Sequence, residues 1–202
     1  MRVTLIDYGA GNIRSAAKAL LAAGAGDVVI TDEPGVVARA ERIVLPGVGA
    51  FGACAAALRA IPGMEEALSA SVIGRQIPFL GICVGMQLMA DEGHEFGVHR
   101  GLGWISGTVR RMQPTEYKVP QIGWNTVQPT GTGLVEPGYA YFVHSYAFHA
   151  ADPADVAAYT SYGSPIVAAV HRHNMLGLQF HPEKSQGYGL ALLRRWLEGG
   201  AC

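Results

Sequence analysis

The sequence is short of charge, and the charge it has is balanced. Only 15% of its 202 residues are Asp, Glu, Lys or Arg, with 16 acidic residues against 15 basic ones; soluble domains ordinarily carry about 25%. There is no arginine-rich run or basic stripe, which excludes an electrostatic grip on nucleic acid. Cysteine is scarce. Three cysteines form no disulfide framework, and a chain of this length buries enough core to hold together without one. Long apolar runs are missing too, since Arg75, Gln76 and Pro78 interrupt the most hydrophobic region. The opening segment Met1-Arg2-Val3-Thr4-Leu5-Ile6 enters a strand directly, with no apolar leader, and a cytoplasmic location is the expectation. Hydrophobic residues nonetheless make up half the chain. That excess implies a large Ala-rich core, a surface covered by a partner, or both.

The first half alternates short β-branched runs with helical patterns. Val3 to Ile6, Val28 to Ile30, Ile43 to Leu45 and Phe79 to Ile82 are the expected strands. Helices are expected from an Asn12 cap to a Gly24 stop, over Phe51 to Ala60, over Met64 to Ile73, and through Met86 to Met89. The second half changes character. Trp104 to Met112, Gly123 to Gln128, Ala140 to Val143, Val156 to Thr160, Ile166 to Val170 and Leu176 to Phe180 look like strands, separated by Pro, Gly and Asn. A last helix spans Gly187 to Leu197. The expectation is an α/β fold, residues 1–202 forming a single domain. Its central sheet would be mixed and mostly parallel, flanked by helices, with antiparallel strands added in the second half.

The strongest chemical signal is Gly81-Ile82-Cys83-Val84-Gly85. A strand ends at Cys83, a helix follows, and a glycine stands two residues to either side, the cysteine version of a nucleophile elbow. Such a turn lifts the sulfur above the carboxyl edge of the sheet and sets it at a helix N-terminus, where the dipole favours thiolate. The backbone N–H of Val84 then faces the place where an oxyanion forms. Cys54 lies in an Ala-rich helix and is expected to pack in the core; Cys202 ends the chain and is expected to fray.

Seven histidines compete as general base. His181 follows an apolar strand and precedes Pro182 and Glu183, and a residue before proline is pushed to extended geometry. In an extended segment positions i and i+2 share a side, so Glu183 is placed to orient the His181 ring. His144, in Phe142-Val143-His144-Ser145-Tyr146, has hydroxyl neighbours but no carboxylate at a useful spacing, and is expected to wall the pocket. The pairs His171/His173, on one strand face, and His94/His99, among acids, lack a complete ligand set, so no metal is assigned. Pro46-Gly47-Val48-Gly49 runs off a strand into a glycine-rich loop whose N–H groups, at Val48 or Gly49, are candidates for a second oxyanion donor. Gln87 lies one helical turn beyond Cys83 on the same face.

Together the elbow, the glycine loop and Gln179-Phe180-His181-Pro182-Glu183-Lys184-Ser185 resemble class I (triad-type) glutamine amidotransferases, over nearly the whole chain. Asp7-Tyr8-Gly9, Gly11-Asn12, Pro120-Gln121-Ile122-Gly123-Trp124-Asn125 and Val143-His144-Ser145-Tyr146 narrow the likeness. They are similar to the glutaminase subunits that serve imidazole glycerol phosphate synthesis in histidine biosynthesis. The resemblance implies a Cys83–His181–Glu183 triad, and a glutamine pocket walled by Gly47 to Gly49, Gln87, His144, Ser145 and Tyr146. It implies no cofactor, and a heterodimer with a HisF-type (β/α)8 cyclase subunit that receives ammonia through an internal passage. Asn12, Trp124 and Lys184 would face that partner. Val48, between two glycines, has peptides that rotate at low cost, so weak activity alone and strong activity with the partner are expected.

The rivals are a glutaminase serving another synthase, a γ-glutamyl hydrolase, and a non-catalytic binding module. A nucleotide-binding reading of Gly9-Ala10-Gly11 fails because Arg14 stands where a third glycine belongs.

Overall fold

The computed structural model describes residues 1–113 and 117–199. Its main sheet has nine strands. Five are mutually parallel: β1 (Arg2–Ile6), β2 (Asp27–Thr31), β3 (Ile43–Gly47), β4 (Phe79–Cys83) and β13 (Met175–Leu178). Along the sheet they stand in the order β2-β1-β3-β4-β13. β3, β4 and β13 are buried along their whole length. This is why they are continuous apolar runs rather than alternating ones, as expected of strands covered on both faces. The order then continues antiparallel through β12 (Pro165–Arg172), β11 (Val156–Ser161), β8 (Gln121–Pro129) and β9 (Gly138–His144). The strand expected over Trp104 to Met112 is shorter, β7 (Gly107–Arg111). Trp104 and Ile105 instead turn their N–H groups to the Met89 carbonyl. β7 belongs to a small second sheet with β10 (Tyr146–Ala150), β5 (Glu92–Gly93) and β6 (His99–Arg100).

The helices fill the crossovers. α1 (Ile13–Ala22) turns Ala16, Ala19 and Leu20 to the core. Asn12 holds the position before it and accepts the Ala16 N–H with its carbonyl, but its side chain makes no capping bond, contrary to the expectation. The stop at Gly24 follows the pattern: Ala25 N–H bonds to Leu20 O and Gly24 N–H to Leu21 O, both at 3.0 Å. After α2 (Pro34–Val37) and α3 (Phe51–Arg59), the helix expected to Ile73 is α-helical only over α4 (Met64–Ser69). Ala70–Gly74 widens into a π turn. There Ser71 Oγ donates to Val37 O and Asn174 Nδ2 to Val72 O, side-chain bonds that tie the widened turn to its neighbours.

The helix expected beyond Cys83 is one turn, α5 (Val84–Gln87). α6 (Gln186–Gly199) closes the chain and buries Leu192, Leu193, Trp196 and Leu197. One continuous hydrophobic cluster joins both halves, with Phe142 edge-on to Phe180 at 5.6 Å. The parallel strands end together on one edge, with Gly47 in register with Cys83. Open α/β sheets bind ligands outside that edge.

Candidate active site

Cys83 ends β4 with φ at +55° and ψ at −111°, a conformation that non-glycine residues rarely adopt. The turn is tight enough to exclude side chains on both sides. A Cβ on Gly85 would overlap the Leu45 carbonyl, and one on Gly81 would lie 2.7 Å from the Gly85 oxygen. The elbow is therefore present as expected, but α5 is a single turn and carries little of a macrodipole.

His181 and Glu183 meet behind the sulfur. Nδ1 of His181 is 2.8 Å from Glu183 Oε1, and both side chains are 2% exposed. The route differs from the expected one. His181 is extended (φ −97°, ψ 98°), but Pro182–Lys184 folds into a 3₁₀ turn, and that turn swings Glu183 back to the ring. The His181 backbone is braced as well, its N–H on Tyr141 O at 3.0 Å and its carbonyl taken by Ser185 Oγ at 2.6 Å. Burial alone would push the ring below its ordinary 6.5. The hydrogen bonds and negative charge of Cys83 and Glu183 outweigh that and raise it to about 9. Nε2 is buried and has no hydrogen-bond partner among the described residues.

These groups open on a cleft of about 390 Å³ lined by Val48, Gly49, Cys83, Val84, Gln87, Glu95, Pro120, Val143, His144, Ser145, Tyr146, His181 and Lys184. That size suits an amino-acid ligand. Gly47, also expected in the pocket, sits at the end of β3 beside Cys83. A Cβ there would come 2.6 Å from Tyr8 Oη and 2.9 Å from Gly85 N. Val48 is 44% exposed, and its carbonyl accepts the Cys54 thiol at 3.5 Å. Burial pushes Cys54 up, which keeps it a thiol and a donor. Cys54 is thus a core residue, as expected, that also touches the loop. Cys202 lies outside the described residues.

His144 is neutral. Burial is the main cause that lowers it to about 4, and the nearby His181 adds to it. Its Nδ1 donates to Tyr146 O at 2.9 Å, and Nε2 lies 3.0 Å from Gln121 Oε1, so beside the neutral ring the Gln121 amide must present its NH2 at that position for Nε2 to accept. The ring holds the pocket wall, as expected. Gln87 is buried and gives its amide N–H groups to Tyr146 O at 3.1 Å and Gln179 Oε1 at 3.0 Å. Glu95 carries no expectation from the sequence, and Gln121 and Gln179 enter there only inside the segments that carry the resemblance, with no role of their own. Gln179 did carry a signal, an amide in the otherwise apolar run Leu176 to Phe180.

Among the described residues no three His, Cys, Asp or Glu side chains gather as a metal site. His94 pairs with Glu92 at 2.7 Å and His99 with the Glu95 carbonyl at 3.0 Å. His173 does not share a strand face with His171. β12 ends at Arg172, and His173 lies in the following turn with φ at +53°. Of the residues expected to face a partner, Trp124 and Lys184 converge on Tyr141. Trp124 stands edge-on to that ring at 6.2 Å and Lys184 Nζ lies 5.8 Å from its centroid. Asn12 is half-buried at the head of α1. Ile122, Trp124 and Tyr139 leave an exposed apolar stripe on the β8–β9 hairpin. No helix among the described residues is long and apolar enough to cross a membrane.

The family description "Glutamine amidotransferase class-I" matches residues 4–198. The chain is 54% identical to the imidazole glycerol phosphate synthase subunit HisH of Zymomonas mobilis, covering 97% of this chain and 95% of that one. It is 52% identical to the HisH subunit of Rhodospirillum rubrum, over 98% of each chain. Among solved structures, a glutamine amidotransferase superposes with a TM-score of 0.76 at 19% identity, covering 96% of this chain and 97% of that one. PurLQS of Thermotoga maritima gives 0.72 at 21% identity, covering 95% and 94%. At such identities these two likenesses speak for the fold.

Proposed function

Since the chain belongs to the class I glutamine amidotransferase family, we propose that it hydrolyses glutamine to glutamate and ammonia for imidazole glycerol phosphate synthesis in histidine biosynthesis. Residues 1–202 would act as a single glutaminase domain, with Cys83 as nucleophile. The observation that carries this reading is the convergence of a strained Cys83 and a raised His181, the latter backed by a buried Glu183, on one amino-acid-sized cleft.

The Cys83 thiolate attacks the side-chain amide carbon of glutamine, and the carbonyl π pair moves to oxygen. Backbone N–H groups of Val84 and of the loop at Val48 or Gly49 stabilise that oxyanion. On collapse the C–N bond breaks. His181, held as imidazolium by Glu183, gives its Nε2 proton to the departing nitrogen, which leaves as ammonia. The neutral ring then takes a proton from water as the water oxygen attacks the thioester. A second oxyanion collapses to glutamate and restores the thiolate–imidazolium pair. Gln87 Oε1, with no partner among the described residues, is free to accept from the substrate, and the Glu95 carboxylate lies in the cleft to meet its α-ammonium. His181 and the attacking water between them supply every proton, so these steps call on no cofactor.

The ammonia passes to a HisF-type (β/α)8 cyclase, which makes imidazole glycerol phosphate and AICAR. The Ile122–Trp124–Tyr139 stripe with Lys184 supports a covered face beside the cleft, and Asn12 would join it. Glutamate release by wild type and Cys83→Ala, with and without such a cyclase and its nucleotide ligand, tests the proposal. Release should be weak alone, strong with the partner, and absent in the variant. Turnover indifferent to the cyclase would move the protein to another synthase.

A further inference from the structure

A side-chain amide is also directed at the nucleophile. Gln179, fully buried just past β13, reaches Cys83 Sγ with Nε2 at 3.7 Å. Its amide can stand only one way. The Tyr146 carbonyl is purely an acceptor, so Gln87 must turn its NH2 toward it. The same NH2 gives its other hydrogen to Gln179 Oε1. With its oxygen so engaged, Gln179 has only N–H left to present to sulfur. The row Tyr146 C=O, Gln87, Gln179, Cys83 is therefore polarised along its length, and its last two steps, Gln87 to Gln179 and Gln179 to Cys83, are buried.

A donor on sulfur favours thiolate over thiol, and in a dry site it does so strongly. The one-turn α5 leaves that task open. Taking Cys83 as the nucleophile, as proposed above, we infer that Gln179 is a positioning residue that holds the Cys83 sulfur as an oriented thiolate. Gln87 and the Tyr146 carbonyl set the polarity of its amide. The pocket wall is thereby wired to the nucleophile, since the Tyr146 carbonyl that anchors the row also fixes His144.

The test is the pH dependence of Cys83 alkylation by iodoacetamide, located by peptide mass, in the full-length wild type, Gln179→Met and Gln179→Glu. Methionine keeps the length and removes the donor; glutamate keeps an acceptor for Gln87 and replaces the donor. Both should move the alkylation midpoint up by about one pH unit and slow neutral-pH labelling about tenfold, as loss of one hydrogen bond to a charged group implies. With the cyclase present, kcat should fall about tenfold and KM by less than about twofold. A lowered melting temperature with an unmoved midpoint would make Gln179 merely structural and overturn the inference. If Gln179→Met does not fold, the Gln179→Glu midpoint decides. Failure of wild type to release glutamate would sink the glutaminase reading alone, because the alkylation midpoints still report on the sulfur.

Discussion

Replacing Glu183 by glutamine keeps the shape of the acid and removes its charge, and the consequences can be worked from the geometry. The His181 ring lies at about 9 instead of 6.5. At 1.36 kcal/mol per pH unit that difference is about 3 kcal/mol in favour of imidazolium, sustained against burial. Two negative partners supply it, Cys83 and Glu183, the latter through a 2.8 Å contact closed to solvent. Removing one of them should lower the ring by about one to two pH units. In wild type the acid that protonates the departing ammonia is lost only as pH rises through about 9. In Glu183→Gln that alkaline limb should move to about 7 to 8, with kcat at pH 8 down about two- to tenfold and KM little changed. The assay is glutamate release against pH, from 6 to 10, with the cyclase present. Stability should follow the same ionisation. A raised histidine stabilises the fold fully below 6.5, and that contribution is lost as pH climbs toward 9. The wild-type melting temperature should therefore fall across that window more than that of the variant. An alkaline limb that stays put in Glu183→Gln would refute the assignment of Glu183 as the group that holds His181 charged.

Three further expectations follow from individual residues. His144 is held neutral, lowered to about 4 by burial, so the fold should lose stability as pH falls from 6.5 toward 4; thermal melts of His144→Gln should show a shallower acid decline. Glu95→Gln should raise KM for glutamine about tenfold or more in steady-state kinetics while kcat changes little, as the loss of one charge-assisted contact to an ammonium requires. Gly85→Ala should cost about 3 kcal/mol, because the new methyl overlaps the Leu45 carbonyl; calorimetry should show a melting temperature about 6–12 °C lower.

The features that could be read from the chain are those with a local physical cause. Short apolar runs mark β1, β3, β4 and β13 because both faces of those strands are covered. The two glycines around Cys83 mark the elbow because only glycine survives contact with Leu45 and with the turn itself. His181 and Glu183 were paired correctly by a wrong path, since an extended i, i+2 argument cannot foresee a 3₁₀ turn. β5 and β6 hold two residues each, too few for any periodicity. α5 stops after one turn because the chain then bends to hand the Leu88, Met89 and Ala90 carbonyls to residues 102–105, a tertiary demand with no local signature. Glu95 lines the cleft from a segment distant in sequence and stands in no pattern that points there, while Gln121 only backs the His144 wall.

The central claim is that Cys83 is a nucleophile presented to a bound glutamine. It is tested most directly by intact-protein mass spectrometry after exposure to a chloroketone analogue of glutamine. The account predicts one adduct, mapped to Cys83, formed more slowly when glutamine is present and absent in Cys83→Ala. An adduct at Cys54 instead, or labelling of Cys83 that glutamine does not slow, would contradict it.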